Sequence, residues 1–290
     1  MAKTEIEWAS DTWNPTTGCD RVSPGCDHCY ALTMAKRLKG MGAAKYQRDG
    51  DPRTSGPGFG ITEHPDTLDA PLHWRKPRKV FVNSMSDLFH DGVSDEFIAR
   101  VWAVMAATPQ HTYQVLTKRH GRMRSLLSAG AFRAKVGAAI GEMEVRAPRR
   151  LPQITAEQAT SATEAWPLPN VWLGVSVEDQ KRAELRIPAL LDTPAAVRFL
   201  SCEPLLGSVD LAQVDAFGFD RPTAIDWVIA GGESGPDHRP MDLDWVRVLR
   251  DQCIDNPTPF LFKQVGGRTP KAGGRELDGR TWDEYPAGAS

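Results

Sequence analysis

Cys19, Cys26 and Cys29 put three thiols within eleven consecutive residues, inside the stretch from Asn14 to Ala31. Three thiolates at one point repel one another and persist only when something cationic binds them, so their concentration points to a metal or a cluster. Pro24 and Gly25, both turn formers, lie in the first gap and let Cys19 fold back onto the Cys26–Cys29 pair. Cys26-x-x-Cys29 runs into a helical pattern, so backbone N–H groups at a helix start would face the thiolates and disperse their charge. A loop-to-helix cradle of this kind suits an iron–sulfur cluster. The count of three matters. A structural zinc site is normally closed by four ligands, and a cluster serving only electron transfer normally has a protein ligand on every iron. Three thiolates leave one iron open to a ligand that is not protein. Two other readings stay open: a zinc site completed by His28 or Cys202, and three reduced cysteines holding no metal.

In the elements that must carry these cysteines, short apolar runs alternate with amphipathic helical patterns. A first strand is expected within Ile6 to Trp13, ending just before the cysteine loop. Tyr30, Leu32, Met34, Ala35 and Leu38 then mark the apolar side of a helix that stops at Gly40 and Gly42. Further strands are expected at residues 79–84, 112–117, 171–176, 197–201, 225–230 and 260–263. Helices are expected from Ser94 with Phe97, Val101, Val104 and Met105 inward, from the third strand to about Ser128, through Ala183, Leu185, Leu190 and Leu191, and from Asp244. The last of these carries Trp245, Leu249 and Cys253 on one face, which makes Cys253 a core residue. Such alternation means a parallel sheet with right-handed crossovers. The first strand lacks the Gly-x-Gly-x-x-Gly turn of a dinucleotide-binding sheet. The fold class is therefore α/β, a partial (β/α) barrel of about six to seven parallel strands. It occupies residues 1–290 as one domain, with insertions at about 43–78 and 141–169 and a tail at about 266–290.

In a (β/α) barrel the chemistry sits at the carboxyl ends of the strands. Those ends carry Ser84, Ser86 and Asp87; Thr117, Lys118 and Arg119; Ser176, Glu178 and Asp179; Ser201, Cys202 and Glu203; Gly231 to Ser234 with Glu233; and Lys263 and Gln264. Any one of them has an ordinary explanation as a helix N-cap. Six such ends together predict a polar ligand. Cys202, Glu203 and Glu233 are the candidates for hydrogen donation, acid/base work or substrate reading, and the glutamates could instead pair with Lys118, Arg119 or Lys263.

The stretch Asn14-Pro15-Thr16-Thr17-Gly18-Cys19 followed by Cys26-Asp27-His28-Cys29-Tyr30-Ala31 resembles the radical S-adenosylmethionine (SAM) superfamily. The likeness is nearest to relatives of spore photoproduct lyase and to a phage-associated radical-SAM-like family. The superfamily places three residues between its first two cysteines, whereas six stand between Cys19 and Cys26, and His28 occupies a position that is usually aromatic. The resemblance implies that Cys19, Cys26 and Cys29 hold a [4Fe–4S] cluster whose open iron takes SAM. An external electron donor would reduce the cluster, and cleavage of SAM would give a 5′-deoxyadenosyl radical that takes hydrogen from the substrate. It implies SAM contacts for Asp87, where the family reads the SAM ammonium, and for Ser176, with Ser84 and Ser86 beside Asp87. Glu178 replaces an asparagine of the related element. The likeness covers residues 14–31 specifically and the strand ends moderately, and it leaves the insertions and tail untouched.

Composition narrows the context. The 290 residues carry a formal net charge of −2, so no global basic field advertises nucleic acid. Locally, residues 111–150 hold nine basic side chains, Lys118, Arg119, Arg122, Arg124, Arg133, Lys135, Arg146, Arg149 and Arg150, against Glu142 and Glu144. A nucleic-acid backbone is a candidate partner for residues 118–150, with a solvated basic helix as the alternative. No apolar run is long enough to span a bilayer, so no membrane is expected as a partner. The polar start Met1-Ala2-Lys3-Thr4-Glu5 is not expected to be a signal peptide. Five clustered cysteines fit a reducing, cytoplasmic setting.

Overall fold

The computed structural model describes residues 2–4, 6–146, 165–220, 223–269 and 272–287. Twelve strands are assigned among them: β1 Ala2–Lys3, β2 Asp11–Trp13, β3 Thr16–Thr17, β4 Thr62–Glu63, β5 Lys79–Val82, β6 Thr112–Thr117, β7 Val171–Ser176, β8 Val197–Cys202, β9 Trp227–Gly231, β10 Phe260–Gln264, β11 Glu276–Leu277 and β12 Arg280–Thr281. The α-helices are α1 Tyr30–Gly40, α2 Asp95–Ala106, α3 His120–Leu127, α4 Gly130–Arg146, α5 Gln180–Leu191 and α6 Leu243–Asp255.

One sheet runs in the order β1-β2-β5-β6-β7-β8-β9-β10. β1 is antiparallel to β2, and the seven strands from β2 to β10 are parallel. Strands that follow one another in the chain are neighbours in the sheet. That order is the winding of a (β/α) barrel, whereas a doubly wound sheet reverses at a switch point. The order ends at β1 and β10, so the barrel is partial. β6 and β7 occupy the residues their apolar runs define, and β7 is buried along its whole length, as a strand covered on both faces must be.

The chain forms two compact units. The first comprises residues 1–20, 35–172 and 193–196; its core gathers Val80, Val82, Val101, Met105, Tyr113 and Val115, with Trp102 set against Phe89 and Phe132. The second comprises residues 21–34, 173–192 and 197–290; Phe199, Trp227, Ile229 and Leu261 lie at its centre.

Several elements differ from the sequence expectation. Only Asp11–Trp13 of the first segment is strand, because Ala9 N–H turns back onto Ile6 O. Helix α4 continues through Gly141, where an insertion was expected to begin; Phe132, Val136, Ala139 and Ile140 form its buried stripe. Residues 147–164, the greater part of that expected insertion, lie outside the described residues. In α1 the buried positions are Ala31 and Ala35, while Tyr30 and Met34 are exposed. In α5 Leu185 is exposed and Arg186 and Ile187 are buried. α6 buries Val246, Leu249 and, as expected, Cys253, whereas Trp245 is half-buried. The insertion at 43–78 is built of short 3-10 turns and β4, with Trp74 as a buried anchor. The tail lies on the outer edge of β10: Phe262 N–H donates to Trp282 O at 2.9 Å, and Leu261 bridges to Asp283. An exposed strand edge invites pairing with other chains, and this segment occupies it.

Candidate functional site

In the first unit the motif Asn14-Pro15-Thr16-Thr17-Gly18-Cys19 is fixed to the end of β5. Asn14 Oδ1 accepts from Met85 N–H at 3.1 Å, and the Asn14 amide exchanges hydrogen bonds with Ser84 Oγ. Asn83 takes a left-handed backbone, φ 62°, which asparagine tolerates better than most residues. From there its Nδ2 donates to Thr16 Oγ1, Thr16 bonds to Ser86 Oγ, and Ser86 donates to Thr16 O. Gly18 donates its N–H to Met85 O at 3.0 Å. It has φ +91°, and a Cβ there would lie 2.4 Å from the Gly60 carbonyl carbon. Only glycine satisfies both conditions. The insertion closes over the same arm: β4 pairs with β3, and His64 Nε2 lies 2.8 Å from Thr17 Oγ1. Since Thr17 donates to Lys45 O, its hydroxyl accepts from His64.

Cys19 ends this arm, its thiol donating to Asp20 O at 3.5 Å. Asp20 in turn accepts from Thr54 at 2.5 Å, Ser55 at 3.1 Å and His90 Nε2 at 2.9 Å. His90 Nδ1 accepts from Gly92 N–H, which places the ring hydrogen on Nε2. Burial, reinforced by Arg119, pulls the His90 pKa down and keeps the ring neutral. Burial alone would raise the Asp20 carboxyl, yet the hydroxyls and His90 outweigh it and hold the pKa below the usual value.

In the second unit the segment from Ser23 to Cys29 rests on two strand-end carboxylates. Glu178, past the end of β7, is fully buried and pairs with Arg186 at 2.7 Å. Ser23 Oγ donates to the same carboxylate. Gly25 lies so close that a Cβ would meet Glu178 Cγ at 2.4 Å. Glu233, past the end of β9, is 7% exposed. It accepts from Arg239 N–H at 2.8 Å, Nε at 3.1 Å and Nη2 at 2.7 Å, and from His28 Nδ1 at 2.8 Å. Burial would raise its pKa, but Arg239 and His28 prevail and bring it to about 2. Arg239 Nη2 also donates to Pro24 O at 2.8 Å.

Cys26 ends a 3-10 turn, Pro24–Cys26, and Cys29 immediately precedes α1, the loop-to-helix placement expected. Cys19, Cys26 and Cys29 are half-buried thiols in no disulfide, whereas Cys202 and Cys253 are buried. Burial pushes the Cys202 thiol pKa far up, and that of Cys253 up to about 12. Among the described residues no three His, Cys, Asp or Glu side chains are grouped as ligands of a single metal ion. Each of Cys19, Cys26 and Cys29 is a soft donor in no disulfide and partly accessible, the ligand chemistry that an iron–sulfur cluster takes.

A family model matches residues 3–286, nearly the full length. The chain belongs to that family, described as Protein of unknown function (DUF5131). No curated protein and no solved structure matches it.

In this member of the family the other strand-end residues have defined surroundings. Asp87 Oδ1 accepts from Phe89 N–H at 3.0 Å and Thr117 Oγ1 at 2.7 Å, and Oδ2 from Lys118 N–H at 3.0 Å. Ser176 is buried, and its carbonyl accepts from Arg186 Nη1 at 2.8 Å. Cys202 is fully buried at the end of β8. Glu203 pairs with Lys263, one of the partners expected for it. Asp179 caps a helix, accepting from Arg182 N–H at the start of α5. Sequence reasoning missed Arg186, Arg239 and Asp20. Arg186 was detectable as an arginine at an inward position of a helix, eight residues from Glu178.

The basic stretch divides. Arg122 is committed inside the first unit, donating to Val93 O and to Asp95 at 2.6 Å, and Lys135 pairs with Glu96. Arg149 and Arg150 lie outside the described residues, as does the side chain of Arg146. No helix among the described residues is long and apolar enough to cross a membrane.

Proposed function

We propose that this chain is a radical-SAM-like iron–sulfur enzyme in which Cys19, Cys26 and Cys29 supply thiolates to a [4Fe–4S] cluster. The observation that carries the reading is the state of these three cysteines. They are half-buried thiols in no disulfide, on segments fixed at the carboxyl ends of parallel strands. When bound and reduced by an external donor, such a cluster would supply the electron that cleaves SAM to methionine and a 5′-deoxyadenosyl radical. The chain's own part is binding, orientation and exclusion of water. Asp87 has one carboxylate acceptor position left after its three internal donors, enough for one N–H of an ammonium. Ser84 and Ser86 precede it, their hydroxyls bonded to Asn14 and Thr16, and Ser176 would serve from β7. Glu203, past the end of β8, with its partner Lys263 on β10 would serve the substrate, whereas Cys202 is fully buried at the end of β8. The thiols require a reducing compartment, which supports a cytoplasmic setting.

Protein purified without oxygen should hold iron and sulfide in similar amounts. Cys19→Ala, Cys26→Ala and Cys29→Ala should each abolish that content, and Cys253→Ala should leave it. With a low-potential reductant the reconstituted protein should release 5′-deoxyadenosine, and Asp87→Ala should weaken SAM binding with the cluster retained. Stoichiometric zinc without sulfide would overturn the proposal. Nucleic acid or a nucleotide is the proposed substrate class, supported by the basic residues that begin at the end of β6, among them Lys118, Arg124 and Arg133. Binding to single-stranded DNA or RNA should weaken linearly in log salt. No binding at low salt would remove the nucleic-acid arm.

A further inference from the structure

We infer that Glu233 is a positioning residue: with Arg239 and His28 it forms a clasp that holds Cys26 and Cys29 in place before any ligand arrives. The inference rests on the reading of these cysteines as cluster ligands, but the clasp is a property of the protein alone. Each residue of the segment 23–28 other than Cys26 is gripped by Glu178 or by the Glu233–Arg239 pair. Ser23 donates to Glu178, and Gly25 packs against that carboxylate. Pro24 O accepts from Arg239 at 2.8 Å, Asp27 pairs with Arg239 at 3.6 Å, and His28 donates to Glu233 at 2.8 Å. The grip falls on both sides of Cys26 and reaches the residue before Cys29.

The same geometry argues against acid/base work by Glu233. Its two oxygens receive four donors, three from Arg239 and one from His28. Three of them crowd Oε2 and Arg239 Nη2 takes one position on Oε1, so a single acceptor position is left and the guanidinium and imidazole donors weaken the carboxylate as a base. Its neighbour is a guanidinium, which does not give up a proton in proteins. His28 occupies the position usually held by an aromatic residue, and its ring nitrogen gives the clasp a directional bond in place of packing. Glu178 contributes the less yielding half. It is fully buried, its partner Arg186 is nearly so, and Arg186 is fixed again by Ser176 O at 2.8 Å. Glu233 and Arg239 form the more exposed half, with the Arg239 side chain 31% accessible.

Thiol labelling of the metal-free protein tests this directly. Site-resolved alkylation, read by mass spectrometry, should show Cys26 and Cys29 reacting about tenfold faster or more in Glu233→Ala, as loss of charge-assisted bonds frees the segment. Cys19, on the other arm, should change less than twofold. Cys202 and Cys253 report global unfolding, because both are buried. If they become reactive in Glu233→Ala, the milder Glu233→Gln decides instead, since its amide oxygen still accepts from Arg239. Glu233→Gln should then show intermediate rates at Cys26 and Cys29. After reconstitution with iron and sulfide, Glu233→Ala should give a cluster with an altered electron paramagnetic resonance spectrum, and Glu233→Gln one close to wild type. Unchanged alkylation in both variants would overturn the clasp. So would a Glu233→Gln protein whose thiols and cluster spectrum match wild type while turnover is lost, the signature of an acid/base residue. If wild type takes up no cluster, the proposed function fails while the alkylation result still decides the clasp.

Discussion

Gly25→Ala is a one-carbon change whose cost can be worked out from the surroundings of Glu178. The new Cβ would lie 2.4 Å from Glu178 Cγ, 2.5 Å from Oε1 and 2.8 Å from Cδ. Contacts that short are not tolerated, so either the glutamate or the cysteine segment must move. The glutamate is fully buried, paired with Arg186 at 2.7 Å and bonded by Ser23. Moving it would strand a buried guanidinium, at about 3–5 kcal/mol. Lifting the segment instead sacrifices the Ser23 bond to a charged acceptor, at about 1.5–3 kcal/mol. The chain takes the cheaper route. Gly25→Ala should therefore lower stability by about 2 kcal/mol and raise Cys26 alkylation. Urea unfolding at fixed pH measures the first, as a midpoint shift with an unchanged slope. Gly40→Ala is the control, because no neighbouring atom lies within 4 Å of its added carbon. A double-mutant cycle sharpens the assignment. On a Glu178→Ala background the space is vacated, so adding Gly25→Ala should cost less than about 0.5 kcal/mol, within the range of a neutral substitution. If Gly25→Ala is equally neutral in the wild-type background, Glu178 does not support the cysteine segment.

The tail makes a separate prediction. Trp282 is nearly buried, edge-on to Phe260 at 6.0 Å and beneath the Arg280 guanidinium at 3.7 Å. Trp282→Ala should cost about 3–5 kcal/mol in urea unfolding. It should also loosen the cover of β10, read as self-association in sedimentation at raised concentration. A monomer of unchanged stability would show that the tail is dispensable. The pH dependence has two parts of the same sign. Burial lowers the pKa values of His64, His90 and His111, so the unfolded chain binds protons that the folded chain refuses. Stability should therefore fall as pH drops below about 6.5, the ordinary histidine value, and that loss should end below the folded pKa values. Glu233, held at about 2, contributes fully above the ordinary glutamate value of about 4.3 and loses its contribution as pH falls towards 2. Urea midpoints at pH 8, 5.5 and 3 should decline in order, and equal midpoints at pH 8 and 5.5 would refute the histidine part.

What could be read in advance depended on how local the determining physics is. β6 and β7 lie where their apolar runs place them, because a strand buried on both faces needs no distant partner to announce it. Gly18 was readable within its motif, although its necessity comes from Gly60, which the insertion delivers. Helix α1 followed its pattern only in part. Of the residues expected inward, Ala35 is buried and Leu32 and Leu38 are half-buried, but the bulky Tyr30 and Met34 are left outside and small Ala31 is buried instead. Hydrophobic periodicity reports amphipathicity, not how closely a helix packs. The strand-end glutamates were visible as acids in the right place, but their roles were set by partners far along the chain. Ser23 and Glu178 are 155 residues apart, and His28 and Glu233 are 205 apart. Neither spacing carries a periodicity, and a carboxylate after a strand reads alike whether it meets a substrate or a loop. His28 held the usable signal. A histidine ring nitrogen needs a partner, and the strand-end acids already identified were the candidates to supply one.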